Sequence, residues 1–196
     1  NLKKDKNLGS NICIYVTGSY GRYDASTQSD LDLFFLQNSS SRRRKTSRIS
    51  KTLIDAEIIK LTREMGFSDF SNDGQYLEIH DINDMLANLG CPDDDHKNFF
   101  TARMLLLLES KPIFNEGLYN TILESVISAY YRDYHDHDKD FRPIFLVNDI
   151  VRFWKTLCLN YEHKRTRKTS DIKKKNAINL KNLKLKFSRL LTCFST

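Results

Sequence analysis

The sequence has no long apolar run. A membrane-spanning helix needs roughly 18 to 20 consecutive apolar residues, whereas the aliphatic run Met104–Leu108 is bounded by Arg103 and Glu109. We therefore exclude a membrane-spanning protein and expect no membrane partner. No signal peptide follows Asn1, which favours a cytoplasmic location, and because the chain ends within a predicted helix we expect a fragment of a longer protein.

Closely spaced cysteines are also missing. No two of the four cysteines form a Cys-x-x-Cys pair, and each lies in or beside an apolar stretch. This arrangement favours buried, reduced thiols in a reducing compartment. The four are Cys13, Cys91, Cys158 and Cys193.

Acidic residues are scarce in the last part of the chain. Residues 163–196 carry eleven Lys or Arg against one acid, Asp171, and residues 93–196 account for the whole net charge of +6. Apolar spacing from Ile172 to Phe194 predicts an amphipathic helix with a basic face. We keep two interpretations of that helix: packing in a bundle with the basic face in solvent, or contact with RNA or a protein partner.

What the sequence does contain is one stretch, Ile12 to Leu36, that carries chemistry. Two β-rich apolar runs flank Gly18-Ser19, which predicts a strand, a tight turn and a second strand. Because side chains alternate along a strand, Asp30 and Asp32 should share its open face, about 6.6 Å apart at the backbone. Two such carboxylates repel unless a cation binds both, and Mg²⁺, or Mn²⁺ in its place, is the expected ion.

The turn provides the complementary half of the site. Gly18 permits a sharp bend and a close backbone approach, and N–H groups around Ser19 to Gly21 can bind a phosphate. Arg22 adds a fixed positive charge. Together these residues predict an anion held beside the metal.

The Gly-Ser turn, with Ser29-Asp30-Leu31-Asp32 placed so that Asp30 is twelve residues after Gly18, resembles the signature of the polymerase-β-type nucleotidyltransferase superfamily. The residues are most similar to its bacterial uridylyltransferase-like branch, which modifies signalling proteins. The resemblance implies that Asp30 and Asp32 bind metal and that the turn holds the triphosphate of an NTP. The residues of the turn in this role are Gly18, Ser19 and Arg22.

A crossover should follow the second strand. Helical spacing predicts a helix over Ile49–Met65 that ends at Gly66, and Gln75–Ile82 reads as a third strand. The loop before the helix contains a basic cluster at residues 42–45, which is either a solvated loop or a substrate contact.

The resemblance implies a third carboxylate on the strand beside the paired aspartates, since two-metal phosphoryl chemistry uses a further ligand or base. If Leu77 and Ile79 are buried, Glu78 projects to the opposite face, and we expect it to be the third catalytic acid and metal ligand. Asp81 has the other parity and stands before a predicted helix, so we expect it to cap that helix.

The second half of the chain reads as helical, with helices predicted over 97–110, 115–134 and 144–165. The last of these carries a polar row, Asn148, Arg152 and Lys155, at i, i+4 and i+7. Such a row is either a solvated surface or, as the resemblance implies, the far wall of the cleft, where these three residues would bind nucleotide phosphates.

We therefore predict an α/β nucleotidyltransferase core with a small mixed sheet, residues 1–92, followed by an all-helical bundle domain, 93–196. The expected reaction transfers an NMP from an NTP to a hydroxyl of a protein, an RNA or a nucleotide, releasing pyrophosphate. The alternative is a non-catalytic nucleotide-sensing or antitoxin-like binding module with the same fold.

Overall fold

The computed structural model describes residues 11–27, 29–39, 45–70, 77–166 and 172–195. Most of the basic cluster, residues 42–44, lies outside these ranges, as do Asp171 and the first two residues of the predicted third strand. The chain divides into two compact units, Asn1–Ala129 and Tyr130–Thr196. In the described part, no helix has both the length and the apolar character needed to cross a membrane.

A four-stranded mixed sheet organises the first unit. Its strands are β1 (Ile12–Thr17), β2 (Asp32–Gln37), β3 (Ile79–Asp81) and β4 (Lys111–Phe114), in the order β3-β2-β1-β4. β1 is antiparallel to both β2 and β4, and β3 is parallel to β2. The first two strands and a third strand beside the second are thus confirmed, but β3 is shorter than the predicted Gln75–Ile82, since Leu77 and Glu78 precede it and Ile82 begins α3.

Helices occupy most of the remaining described chain. In the first unit, α1 is a single turn, α2 is the crossover, and α5 is the most apolar helix; the second unit is helical, with one π turn, Leu185–Arg189. The bounds are α1 Gly18–Gly21, α2 Arg48–Glu64, α3 Ile82–Ala87, α4 Pro92–His96, α5 Phe99–Glu109, α6 Glu116–Tyr130, α7 Ile144–Thr166, α8 Ile172–Lys184 and α9 Leu190–Phe194.

Helices cover both faces of the sheet. On one face, Ile54 and Ile58 of α2 join a buried cluster with side chains of β1 and β2. On the other face, the Tyr15 hydroxyl donates a hydrogen bond to the carbonyl of Ala102 in α5 at 3.2 Å, and the Tyr15 ring stacks on Phe34. All of β2 after Asp32 is therefore buried. The open strand face predicted from the sequence is limited to the start of the strand, because α5 covers the rest.

The first unit extends beyond the predicted boundary at residue 92. β4 follows α5 in the chain and pairs with β1. The chain therefore returns to the sheet after residue 92. The helical region that forms a unit of its own begins only at Tyr130.

The second unit has a small core of its own. The Tyr130 hydroxyl donates a hydrogen bond to Asp149 Oδ2 at 2.6 Å, and Phe153 is buried beside it on α7. The Trp154 ring meets the Phe194 ring edge-on, with centroids 5.8 Å apart. These contacts confirm the prediction of a helical C-terminal region.

Candidate functional site

The turn after β1 is shaped around Gly18. Its φ of +65° is in the left-handed region, and a Cβ at this position would lie 3.2 Å from Asp32 Oδ2. Both the conformation and the contact therefore favour glycine. Ser19 is half-buried, and its carbonyl oxygen accepts a hydrogen bond from the N–H of Asp24 at 2.9 Å. The turn and the β2 carboxylate thus form one local site.

The two predicted metal-binding aspartates lie at the start of β2. Asp32 is the first residue of the strand and is paired with Thr17, the last residue of β1, while Asp30 precedes the strand by two residues. Both aspartates are exposed. Their carboxylates are therefore accessible at the end of the sheet where the turn lies.

Arg22 is engaged within the protein. Its Nη1 donates a hydrogen bond to Glu109 Oε2, and its Nε and Nη2 donate to the Asp24 carboxylate at 3.3 and 3.2 Å. The Arg22 side chain is only 7% exposed and that of Glu109 only 2%. Charges buried to this extent require such partners. Arg22 therefore fastens the turn to the end of α5, a role different from the phosphate contact predicted for it.

Gly21 makes this contact between α1 and α5 sterically feasible. A Cβ on Gly21 would lie 1.8 Å from the carbonyl oxygen of Glu109. The second carboxylate oxygen of Glu109, Oε1, is buried and has no hydrogen-bond partner within the described ranges. Glu109 therefore depends on Arg22 for the compensation of its charge.

Glu78 lies just before β3. Its side chain is 63% exposed, and its Oε1 is 4.0 Å from Lys51 Nζ on α2, which also donates to Asp55 at 2.6 Å. Within the described ranges, no group of three His, Cys, Asp or Glu side chains is arranged to hold a metal ion. Glu78 is thus not brought together with Asp30 and Asp32 as a third ligand.

Asp81 has the capping role predicted for it. It is the N-cap of α3, where its carboxylate accepts hydrogen bonds from the N–H groups of Asn83 at 3.0 Å and Ser39 at 3.2 Å. The side chain is buried. Asp81 therefore joins the loop after β2 to the start of α3.

A cleft of about 810 Å³ lies beside the edge strand β3. Gln37 and Asp81, the last residues of β2 and β3, line it, so it reaches the carboxyl end of this parallel pair, about 16 Å along β2 from Asp32. His80 also lines the cleft and is buried against Phe99; this burial lowers the His80 pKa to about 4. The His80 imidazole is therefore neutral at neutral pH. The cleft itself was not predicted from the sequence.

The polar row on α7 belongs to the second unit. Asn148 and Lys155 are exposed, whereas Arg152 is half-buried with its Nη1 3.8 Å from Asp149 Oδ1. The three residues lie on one helix, as the sequence predicted. Their contact with a nucleotide stays a prediction.

Comparison of the chain with protein-family models, curated proteins and solved structures finds no match. The chemistry of the site therefore follows from its own groups. These are the exposed carboxylates of Asp30 and Asp32, a glycine turn that lies against Asp32, and a buried arginine–glutamate pair that holds the turn in place.

Glu109 is the part of this site that the sequence did not reveal. A glutamate is seldom buried without a partner, so its position at the end of an apolar helix was a usable signal of an ion pair. The partner, Arg22, is 87 residues away in the chain. Nothing in the local pattern connects the two.

Proposed function

We propose that the chain is a metal-dependent nucleotidyltransferase of the polymerase-β type, which transfers an NMP from an NTP to a hydroxyl group and releases pyrophosphate. The observation that carries this proposal is the contact between Gly18 and Asp32, in which a Cβ would lie 3.2 Å from the carboxylate oxygen. A phosphate bound by the turn would lie next to a carboxylate able to share a cation with it.

The order of elements also supports the proposal. The turn joins two antiparallel strands, α2 follows, and β3 returns parallel to the strand that begins with Asp32. This is the sequence of strand, turn, strand, crossover helix and neighbouring strand expected from the resemblance to the superfamily.

The donor set fits Mg²⁺, or Mn²⁺ in its place, when a nucleotide contributes the remaining ligands. Mg²⁺ is commonly bound through one or two carboxylates together with substrate phosphates and water, and Asp30 and Asp32 are two exposed carboxylates. The ion would neutralise charge that develops on the transferring phosphoryl group. The need for Glu78 as a third ligand is not supported by its position beside Lys51.

In this proposal, different residues bind the phosphates, bind the cation and hold the turn in position. Backbone N–H groups around Ser19 to Gly21 bind phosphate oxygens, Asp30 and Asp32 orient the cation, and Arg22 keeps the turn fixed through Glu109. Asn148, Arg152 and Lys155 are proposed as further phosphate contacts. The acceptor is a protein side chain, an RNA end or a second nucleotide.

The proposal is tested by incubating the protein with each labelled NTP, Mg²⁺ and a cell extract, and by measuring label in protein, RNA and small molecules. Asp32→Asn should reduce label transfer by at least about 10²-fold with the folded state retained in circular dichroism. Asp93→Asn is the matched control, since Asp93 is a partly exposed acid on α4 that pairs with Lys97, the residue after the helix. Equal transfer by wild type and Asp32→Asn would refute the site.

Gly18→Val tests the turn separately. A β-branched side chain resists positive φ and occupies the space beside Asp32, so NTP affinity measured by calorimetry with Mg²⁺ should fall by at least about tenfold. Unchanged affinity in a folded variant would mean that the triphosphate binds elsewhere.

A non-catalytic nucleotide-sensing or antitoxin-like module is the second candidate. The observation that favours it is the separation of Glu78 from the aspartate pair. Calorimetric binding of an NTP with no label transferred to any acceptor would support this candidate.

A further inference from the structure

The outer face of residues 172–194, which comprise α8, the π turn and α9, carries a row of large apolar side chains in contact with solvent. Six of them recur at helical spacing, and each is between 53% and 72% exposed. Large exposed apolar patches on folded proteins mark sites of contact with proteins or membranes. We name it the C-terminal apolar row; it comprises Ile172, Leu180, Leu183, Phe187, Leu191 and Phe194.

This row is distinct from the face that carries the buried side chains of the segment. Leu185 and Cys193 are the buried residues of this segment. At about 100° per residue, both project away from the row, so the helix has one packed side and one exposed apolar side. Within the row, Phe194 also meets the Trp154 ring edge-on, but each of the six side chains leaves more than half of its surface exposed.

The charge around the row has a single sign. Residues 172–195 contain seven Lys or Arg and no Asp or Glu. On a helical projection, Lys184 and Lys186 fall on the two flanks of the row. Long lysine side chains at such positions can extend their ammonium groups while their methylene groups cover apolar surface.

We propose that the C-terminal apolar row docks on an anionic phospholipid surface, with α8 and α9 lying in the plane of the headgroups. An apolar face flanked by lysines is the pattern of interfacial helices, and each basic residue near an anionic leaflet adds to the attraction. This contact is peripheral and needs no spanning helix, so it goes beyond the expectation of no membrane partner, which the described helices support with respect to a membrane span. It does not depend on the proposed nucleotidyltransfer.

Two other occupants fit the observations less well. RNA is bound through phosphates and by stacking on aromatic rings, whereas four of the six residues in the row are aliphatic. Protein surfaces usually mix both signs of charge. A segment with seven cations and no anion is therefore matched better by a uniformly anionic surface than by a protein. The charge complementarity thus favours lipid headgroups.

The test is sedimentation of the full chain with vesicles of phosphatidylcholine, with and without phosphatidylserine. We expect binding to the phosphatidylserine vesicles, weakened by added salt because surface charge is screened. The double variant Leu183→Asp with Phe187→Asp should bind at least about tenfold more weakly. Leu159→Asp is the matched control, since Leu159 is 69% exposed on α7 and lies outside the row; it should bind like wild type.

Lys184→Glu with Lys186→Glu separates charge from apolar contact. Binding to phosphatidylserine vesicles should fall by at least about tenfold in this variant, while its melting curve matches wild type because neither side chain is buried. No binding of the wild type to anionic vesicles would overturn the proposal. The proposal would also be overturned if the Leu183→Asp with Phe187→Asp variant bound the vesicles as well as wild type. Binding to poly(U) but not to vesicles, or self-association through the row without vesicle binding, would overturn it too.

Discussion

Gly21→Ala should lower the free energy of unfolding of the first unit by at least about 2 kcal/mol. The new Cβ would lie 1.8 Å from the Glu109 carbonyl oxygen and 2.7 Å from its carbon, whereas ordinary contact begins near 3.4 Å. The obstacle is backbone, so no side chain can rotate away. α1 would have to move from α5 by about 1.6 Å, which also separates Arg22 from the buried Glu109 carboxylate.

Two other glycines provide controls that separate steric overlap from backbone strain. A Cβ at Gly66 or Gly117 meets no atom within 4 Å, but Gly66 has φ +81°. Gly66→Ala should therefore cost about 1 kcal/mol, and Gly117→Ala, in the first turn of α6, should stabilise by up to about 1 kcal/mol. Urea unfolding followed by far-UV circular dichroism measures all three. If Gly21→Ala is as stable as Gly117→Ala, the close contact between α1 and α5 is wrong.

Three further predictions concern buried or exposed charged groups. Burial lowers the His80 pKa from 6.5 to about 4, so between these values the unfolded state binds a proton that the folded state does not. The free energy of unfolding should therefore fall by about 2 kcal/mol from pH 7 to pH 5 through the titration of His80. His80→Gln should lose less stability over this range, and an equal loss would contradict the assignment. Arg103→Met should lower the free energy of unfolding, measured in urea, by about 3 to 5 kcal/mol, because the buried Asp94 carboxylate loses two 2.7 Å hydrogen bonds. The double variant with Asp94→Leu should recover most of this loss. If it recovers none, the loss does not come from leaving the Asp94 charge without a partner. Glu78→Gln should change label transfer less than about tenfold, whereas Asp81→Asn should cost about 1 to 2 kcal/mol of stability because one amide oxygen cannot replace both accepted hydrogen bonds. A loss of transfer above about 10²-fold in Glu78→Gln would identify it as the third acid after all.

The local elements of the first unit were predictable because each is marked by its own residues. β1 and β2 lie in the two apolar runs that flank Gly18-Ser19, as predicted, and α2 ends near Gly66 as expected. β4 was missed, since four residues between two helices are too few to show strand alternation. Its partner, β1, is about a hundred residues earlier in the chain, so only the folded structure reveals that the sheet has a fourth strand.

For the candidate site as well, local contacts were predictable from the sequence and long-range contacts were not. The contact of Gly18 with Asp32 was predictable because both flank one turn between paired strands. Side-chain alternation holds only within a paired strand. It therefore does not apply to Glu78, since β3 begins at Ile79, or to Asp30, since β2 begins at Asp32. The assignment of Arg22 to phosphate rested on its charge and on the family resemblance, and neither could reveal a buried carboxylate from a distant helix.

The short strand β4 affects how the protein behaves at high concentration. It is an edge strand, and its first two residues are Lys111, which is exposed, and Pro112, which has no N–H to donate. Its pairing with β1 is also irregular next to Ile14. An edge that is short, charged, irregular and deficient in donors is a poor template for strands of other molecules. This side of the sheet is therefore protected against edge-to-edge aggregation.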